Sequence, residues 1–395
     1  MTGWFVPGRI EVLGKHTDYA GGAVLVCAVD RGVSVRSAPG PRGVEATSAH
    51  GDPVWLEAGR DPGLPAGHWG RYLQTVVDRL TRNFGSLPPT RLRVGSDLPL
   101  ASGMSSSSAL LVGCALALAD AAGLPDRSAW QAAIPTRLHL AGYLACVENG
   151  SAFGTLAGDA GVGTRGGSED HCAMLCGEPG KLARFRFDPM SQQAPVDFPD
   201  DWAFVVTSSG VRAEKTGAAR EAYNAASAMV GEIVRRARAE LGSRAHTLAG
   251  VVGDEGADAV RGVVTDSPAL TRRLEHFLAE SERLVPAGAE AVAAGDAAAL
   301  GVVAAESHRL ASELLGNQVP QTNHLVASAR RLGAPAASAF GAGFGGSVWA
   351  IVPRADADTF ADDWLDEYCE AFPVEGDAAE TIVTRPSEAA HRLGS

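Results

Sequence analysis

No apolar stretch in this 395-residue sequence approaches the ~20 residues a helix needs to cross a bilayer. The longest, within 109–123, is interrupted by Gly113 and Asp120. Basic residues are in deficit: 34 Lys and Arg stand against 46 Asp and Glu, a formal net charge of −12. That balance argues against nucleic acid or an anionic membrane surface as a partner. The opening MTGWFVPGRIEV has neither the basic n-region nor the apolar core of a secretory leader, so a cytoplasmic location is expected. Cysteine is scarce and scattered, six in all, and Cys172 and Cys176 lack zinc-site spacing, which suits reduced thiols. Repeats, low-complexity tracts and runs of like charge are missing as well. What remains is a chain long enough for two or three domains, 46% hydrophobic and able to build sizeable cores.

The most informative junction is PLASGMSSSSA, residues 99–109, running into LLVGCALALA. Ala109, Leu110, Leu111, Ala115 and Leu116 read as the interior of a helix. Ser105, Ser106, Ser107 and Ser108 therefore occupy its start, where backbone N–H groups lack intrahelical partners and the helix dipole is positive. Gly103 allows close approach of a ligand to the backbone. Together these make an anion site suited to phosphate, or more simply a serine cap after a glycine turn. No lysine of the Walker type follows the serines.

Two further stretches add to this. PGRIEVLGKHTDYAGG, residues 7–22, crowds Arg9, Lys15, His16, Asp18 and Tyr19 into a glycine-rich backbone. His16 and Asp18 can bond sugar hydroxyls and Arg9 can hold a phosphate or carboxylate; a polar hairpin is the plainer reading. GAGFGGS, residues 341–347, sets four glycines before the strand-like VWAIV, a sign of backbone packed against a ligand or another backbone. Without a strand–helix unit and a following acidic residue, it is not a dinucleotide fingerprint.

These three segments, in this order, resemble the three motifs of the galactokinase branch of the GHMP small-molecule kinases, and the resemblance spans nearly the whole chain. GHWGRYLQTVV, residues 67–77, is similar to the segment that helps line the adenine pocket, which makes Trp69 a nucleotide-binding candidate beside Gly103, Ser105–Ser108 and Gly343. The resemblance implies an α+β, two-domain fold. A ribosomal-protein-S5-like domain over 1–198 would precede a ferredoxin-like domain over 199–395, with the site between them. It also implies ATP and Mg²⁺, and transfer of the γ-phosphate to a hydroxyl of a monosaccharide, the anomeric one. The protein would act as a monomer or homodimer with small-molecule partners only. A sugar- and ATP-reading sensor without transfer is the competing class.

GTRGGSEDHC, residues 163–172, resembles the segment ending Cys-Gly-Ile-Met-Asp-Gln. Asp170 falls on the aspartate and becomes the catalytic base, with Arg9 to hold it ionised. Glu169 is the competing base, and His171 replaces the glutamine. For Mg²⁺ the resemblance offers Ser107 and Glu148, with Asp159 as a rival because 22 residues separate Glu148 from Asp170. Tyr223, after the Val211-Arg212 pair, is a candidate sugar contact.

Two departures bear on substrate. Lys15 stands where galactokinases carry the glutamate that contacts the far end of the sugar, and Glu11 replaces an asparagine. Either Lys15 faces an anionic group, as in a uronic acid or a phosphorylated sugar or cyclitol, or Lys15 pairs with Glu11 and the substrate is neutral. Elsewhere, 22–36, 44–57, 90–97, the segment DWAFVVTSS from near 201, 346–353 and 379–384 read as strands. Helical patterns occupy 69–83, 105–123, 135–149 and much of the chain from beyond 210 to about 332.

Overall fold

A computed structural model describes residues 2–49, 51–65, 67–99, 103–211 and 217–394. The first sheet is built from β1 (Thr2–Leu13), β2 (Ala23–Pro39), β3 (Val44–Ser48), β4 (Gly51–Leu56) and β5 (Thr90–Ser96), with β6 (Lys181–Phe187) and β7 (Met190–Asp197) added later in the chain. Its 17-residue β2 is the spine. β1 runs antiparallel along one side of it, while β6 pairs with its first half and β5 with its second. β3 pairs in parallel with β5 and antiparallel with β4. The segment 44–57, read as one strand, is thus a hairpin, and β1, β6 and β7 were not anticipated as strands. Pro7 and Gly8 in β1 and the arginines and glutamines of β6 and β7 hide the alternation.

Helices α1 (Trp69–Phe84), α2 (Ser106–Ala121), α3 (Ser128–Ala133), α4 (Arg137–Asn149) and α5 (Glu169–Cys176) back this sheet. α2 is buried all round, with Leu111, Val112, Cys114 and Leu118 inaccessible, as expected of a helix apolar on every face. The second sheet contains β8 (Trp202–Ser208), β9 (Ala336–Phe340), β10 (Ser347–Pro353) and β11 (Glu380–Thr384) in the order β11–β8–β10–β9, antiparallel throughout. Numbered within the sheet this is 4-1-3-2, the ferredoxin-like order. Between its first two strands lie α6 (Ala218–Glu240), α7 (Leu248–Glu255), α8 (Ala257–Gly262), α9 (Pro268–Phe277), α10 (Val285–Ala293), α11 (Ala297–Leu310) and α12 (Pro320–Arg331). α13 (Ala357–Ala371) joins the last two. Among the described residues, no helix is long and apolar enough to cross a membrane.

β7 of the first sheet ends at Asp197 and β8 of the second begins at Trp202, and one later element crosses back. β12 (His391–Arg392) returns to the first sheet, where Trp4 faces Arg392 and Phe5 faces His391. The largest core is also shared, since Phe340, Trp349 and Ile351 of the second sheet pack with Val6, Ile10 and Leu111 of the first.

A polar joint holds the two halves together. Two widened helical segments, Leu278–Leu284 and Ala311–Leu315, interrupt the helices of the second half. From the first, Glu280 Oε1 accepts the backbone N–H groups of Gly14 and Lys15 at 2.9 and 3.2 Å and the Ser307 hydroxyl at 2.8 Å. Lys15 Nζ donates to Ser307 Oγ at 2.8 Å and is wholly buried. This corrects both expectations for Lys15: its ammonium points into the joint, and among the described residues it forms no ion pair with Glu11. The partners of Lys15, Glu280 and Ser307, come from more than 250 residues away.

Lys15→Glu would set a second buried carboxylate against Glu280. We expect a loss of about 3–5 kcal/mol, the range for breaking a buried charged partnership, measured as a lower urea midpoint. An unchanged midpoint would mean that Lys15 is not part of the joint.

Candidate active site

Where the halves face one another lies a cleft of about 350 Å³, within the usual range for small-molecule sites. Its floor begins with β1. Successive residues of a strand point to opposite faces, so Ile10 and Val12 enter the core while Arg9 and Glu11 face the cleft. Beyond the strand, His16 takes a left-handed conformation (φ 58°) and turns its ring inward. Its Nδ1 lies 2.8 Å from the Tyr19 hydroxyl and its Nε2 3.1 Å from the Ala342 carbonyl. Nε2 is therefore the donor and Nδ1 the acceptor. Burial and the neighbouring Arg273 lower the His16 pKa to about 4, which keeps the ring neutral. Arg273, unremarked in the sequence, donates to the His16 carbonyl at 2.5 Å and to Tyr19 Oη at 3.2 Å. Tyr223 stacks beside them from α6, its ring 5.0 Å from that of His16. Arg212, of the pair that suggested Tyr223, lies outside the described residues, as do 100–102 of the serine motif.

The phosphate loop enters from the other side. Gly103 has φ 69°, and the nearest atom to a Cβ placed there would be the Gly346 Cα at 3.5 Å. The third motif therefore packs backbone to backbone against the second. Gly343 (φ 81°) lies so close to Asn317 that a side chain there would overlap it. Ser105, itself left-handed at φ 58°, precedes the first turn of α2, and Ser105 to Ser108 all line the cleft.

α5 brings the acidic pair. The Asp170 carboxylate lies 2.7 Å from Arg9 Nε through Oδ1 and accepts the Ser105 hydroxyl at 2.5 Å through Oδ2. Arg9 Nη1 donates to the Gly103 carbonyl at 2.7 Å. Burial opposes the Arg9 charge, but Asp170, Glu169 and Glu11 outweigh it and raise its pKa. Glu169 Oε1 is 3.5 Å from Arg9 Nε. Burial first, then the Glu11 charge, holds the Glu169 carboxyl well above its ordinary value. Asp18 accepts the Glu169 N–H at 3.3 Å, and burial raises its pKa too. Glu11 is pushed from 4.5 to about 7 by burial, with Lys15 and Arg9 opposing.

Glu148, in the last turn of α4, accepts the Ser108 hydroxyl at 2.9 Å, and His171 Nε2 lies 3.2 Å from the same oxygen. Ser108 thus meets Glu148 directly, and Ser107, the serine expected there, lines the same cleft one residue and about 100° around the helix away. Asp159, the rival, pairs with Arg82 at the surface at 3.0 Å and does not line the cleft. Trp69 is a second correction. Its Nε1 donates to the Asp52 carbonyl at 3.2 Å and its ring covers the β3–β4 turn; Gly67 and Tyr72 of the same segment reach the cleft instead.

One cleft thus unites Arg9, His16, Asp18, Gly103, the four serines, Glu148, Asp170, Tyr223 and Gly343, and leaves out Lys15 and Trp69. Three family descriptions match the chain: the galactokinase galactose-binding signature over residues 2–39, the GHMP kinases N terminal domain over 71–142 and the GHMP kinases C terminal over 289–371. The galactokinase of Mycobacterium tuberculosis is 31% identical over 360 residues, 90% of either chain. The chain belongs to the galactokinase family of GHMP kinases. It is a kinase whose acceptor is a hydroxyl group. The galactokinase of Thermococcus kodakarensis is 28% identical over 386 residues, 97% of this chain and 98% of that one. A crystal structure of Lactococcus lactis galactokinase complexed with galactose superimposes with a TM-score of 0.80 at 23% identity, covering 99% and 95% of the two chains. That of L. major mevalonate kinase reaches 0.59 at 18% identity, covering 98% and 96%.

The Glu11 environment gives a pH-dependent expectation. Its native carboxyl keeps a proton up to about pH 7, whereas an unfolded glutamate loses it near 4.5. Stability is therefore lost as pH rises across that interval. Glu11→Gln removes this loss, so its urea midpoint should exceed that of the unmodified kinase at pH 8 and match it near pH 4.5. A gain that is the same at both values would contradict the assignment.

Proposed function

We propose that this kinase transfers the γ-phosphoryl group of ATP to the anomeric hydroxyl of a monosaccharide, with Asp170 as the base. The observation that carries the reading is the position of the Asp170 carboxylate, joined on one side to Arg9 and on the other to Ser105 of the phosphate loop. Phosphoryl transfer needs positioning and charge neutralisation more than covalent help, and this arrangement provides both. The triphosphate would lie on the amides and hydroxyls at the start of α2, with the adenine toward Gly67 and Tyr72. His16, Asp18 and Tyr223 would hold sugar hydroxyls. As the acceptor oxygen bonds to the γ-phosphorus, the bond from that phosphorus to the β-γ bridging oxygen breaks and ADP leaves. The acceptor proton passes to Asp170, which Arg9 keeps ionised beforehand. A sensor without transfer would have no use for a carboxylate held in this way.

Mg²⁺ fits the residues present. Ser108 and Glu148 offer hard oxygen donors beside the phosphate loop, with Ser107 close by. Among the described residues no group of three His, Cys, Asp or Glu side chains could cage a metal. The ion would be held by one carboxylate, serine oxygens, water and the nucleotide, as Mg²⁺ often is. When bound, it supplies charge neutralisation for the triphosphate.

Asp170→Asn should lower kcat by about 10²–10⁴, the usual worth of a general base, with the calorimetric affinity for a non-hydrolysable ATP analogue little changed. If the Asn variant keeps most of its rate, the base lies elsewhere. Glu148→Gln should raise the Mg²⁺ concentration needed for half-maximal rate at fixed ATP. An unaltered Mg²⁺ dependence would remove Glu148 from the metal site.

A further inference from the structure

The sugar half of the cleft carries an excess of buried carboxylate that the proposed reaction does not use. Four acidic side chains line it: Glu11, Asp18, Glu169 and Asp170. Asp170 is engaged by Arg9 and Ser105. Asp18 accepts the backbone N–H groups of Tyr19 at 2.7 Å and Glu169 at 3.3 Å. Glu11 and Glu169 differ. They are 3% and 4% exposed, and the Oε1 atom of each is buried without a hydrogen-bond partner among the described residues. Such oxygens are costly to leave unmatched. In the motif register, Glu11 replaces an asparagine and Glu169 a methionine, so both add negative charge.

Among the described residues, the cations nearby are fewer than the carboxylates. Arg9 is committed to Asp170 and lies 3.5 Å from Glu169. Lys15 donates to Ser307 behind the cleft wall. His16 is neutral, and Arg220 lines the cleft at its rim beside Gly163, in the loop ahead of α5. An anionic acceptor would be repelled here. A neutral sugar could bring hydroxyls to this pair but would give neither carboxyl a charged partner. An ammonium group supplies three N–H donors and the missing positive charge.

We propose that the natural acceptor is an amino sugar, an aldose whose free amine is received by Glu11 and Glu169. This rests on the sugar-kinase reading above and narrows its substrate. Burial raises the pKa of both carboxyls when the cleft is empty, that of Glu11 to about 7. The charged groups acting on them are Arg9, Lys15, Asp18, Asp170 and Glu280. An ammonium would favour the ionised forms, so binding it near neutral pH releases protons.

The test uses the intact kinase with ATP and Mg²⁺ and compares galactose, galactosamine, 6-amino-6-deoxygalactose and galacturonate in a coupled ADP-release assay. We expect kcat/KM for one of the amino sugars to exceed that for galactose at least tenfold, with galacturonate poorest. In the Glu11→Asn/Glu169→Met double variant the amino-to-neutral ratio should fall at least tenfold. Calorimetry of the unmodified protein in two buffers of different ionisation enthalpy should show proton release with the amino sugar and none with galactose, a readout that needs no variant to fold. Galactose equal to or better than both amino sugars, or an unchanged ratio in the double variant, overturns the amine assignment and leaves the sugar-kinase reading intact. Failure of all four sugars as acceptors overturns both.

Discussion

The Arg9 guanidinium is the point at which the parts of this cleft are tied to one another. It reaches the Asp170 carboxylate, the Gly103 carbonyl and, at longer range, Glu169, and so connects β1, α5 and the loop leading into α2. A buried ion pair adds little net stability once desolvation is counted. Its value here is in position. Arg9 lies on a strand paired along its length with β2, and Asp170 lies in the first turn of a helix packed on that sheet. The pair fixes the carboxylate relative to the start of α2, where phosphate would be bound, and it does so before any substrate arrives. Such preorganisation avoids rearrangement during the reaction.

The second sheet supplies the other wall through backbone more than side chains. Gly341, Gly343, Gly345 and Gly346 all have positive φ, and the nearest contact a Cβ on Gly341 would make is the Gly103 carbonyl at 3.1 Å. Two glycine loops from different halves of the chain thus meet at close range. His16 is bonded to the same wall through Ala342. The sugar motif, the phosphate loop and the last motif form one polar seam, and the Lys15–Ser307–Glu280 joint lies behind it. The cleft is consequently a product of both halves, and neither sheet alone would contain it.

What could be read from the sequence was what is local. The serines announced a helix start because an apolar run follows them at once, and His16, Asp18 and Asp170 sit in short motifs whose spacing limits where they can point. Reading failed where the partner is distant or the choice turns on a fraction of a helical turn. Lys15 looked like a substrate residue because nothing near it in sequence hints at Ser307. Trp69 and Tyr72 share a segment, and only the packing of the β3–β4 hairpin decides which of them is drawn away from the cleft. Four consecutive serines point in four directions, so the bond from Ser108 to Glu148 could not be read from spacing. Arg273 carried no signal at all, since an arginine in an amphipathic helix is ordinarily a solvated one.

The return of β12 to β1 has a consequence for how the chain is made. During synthesis the first sheet can assemble long before residues 391–392 leave the ribosome, yet its outer edge stays open until they do. An open edge strand is a template for incorrect pairing. Phe5 waits for the His391 ring, 5.3 Å away in the finished fold, and Trp4 for the Arg392 guanidinium at 5.4 Å. The first sheet therefore keeps an unsealed edge until the segment that closes it, which follows every strand of the second sheet, has been made.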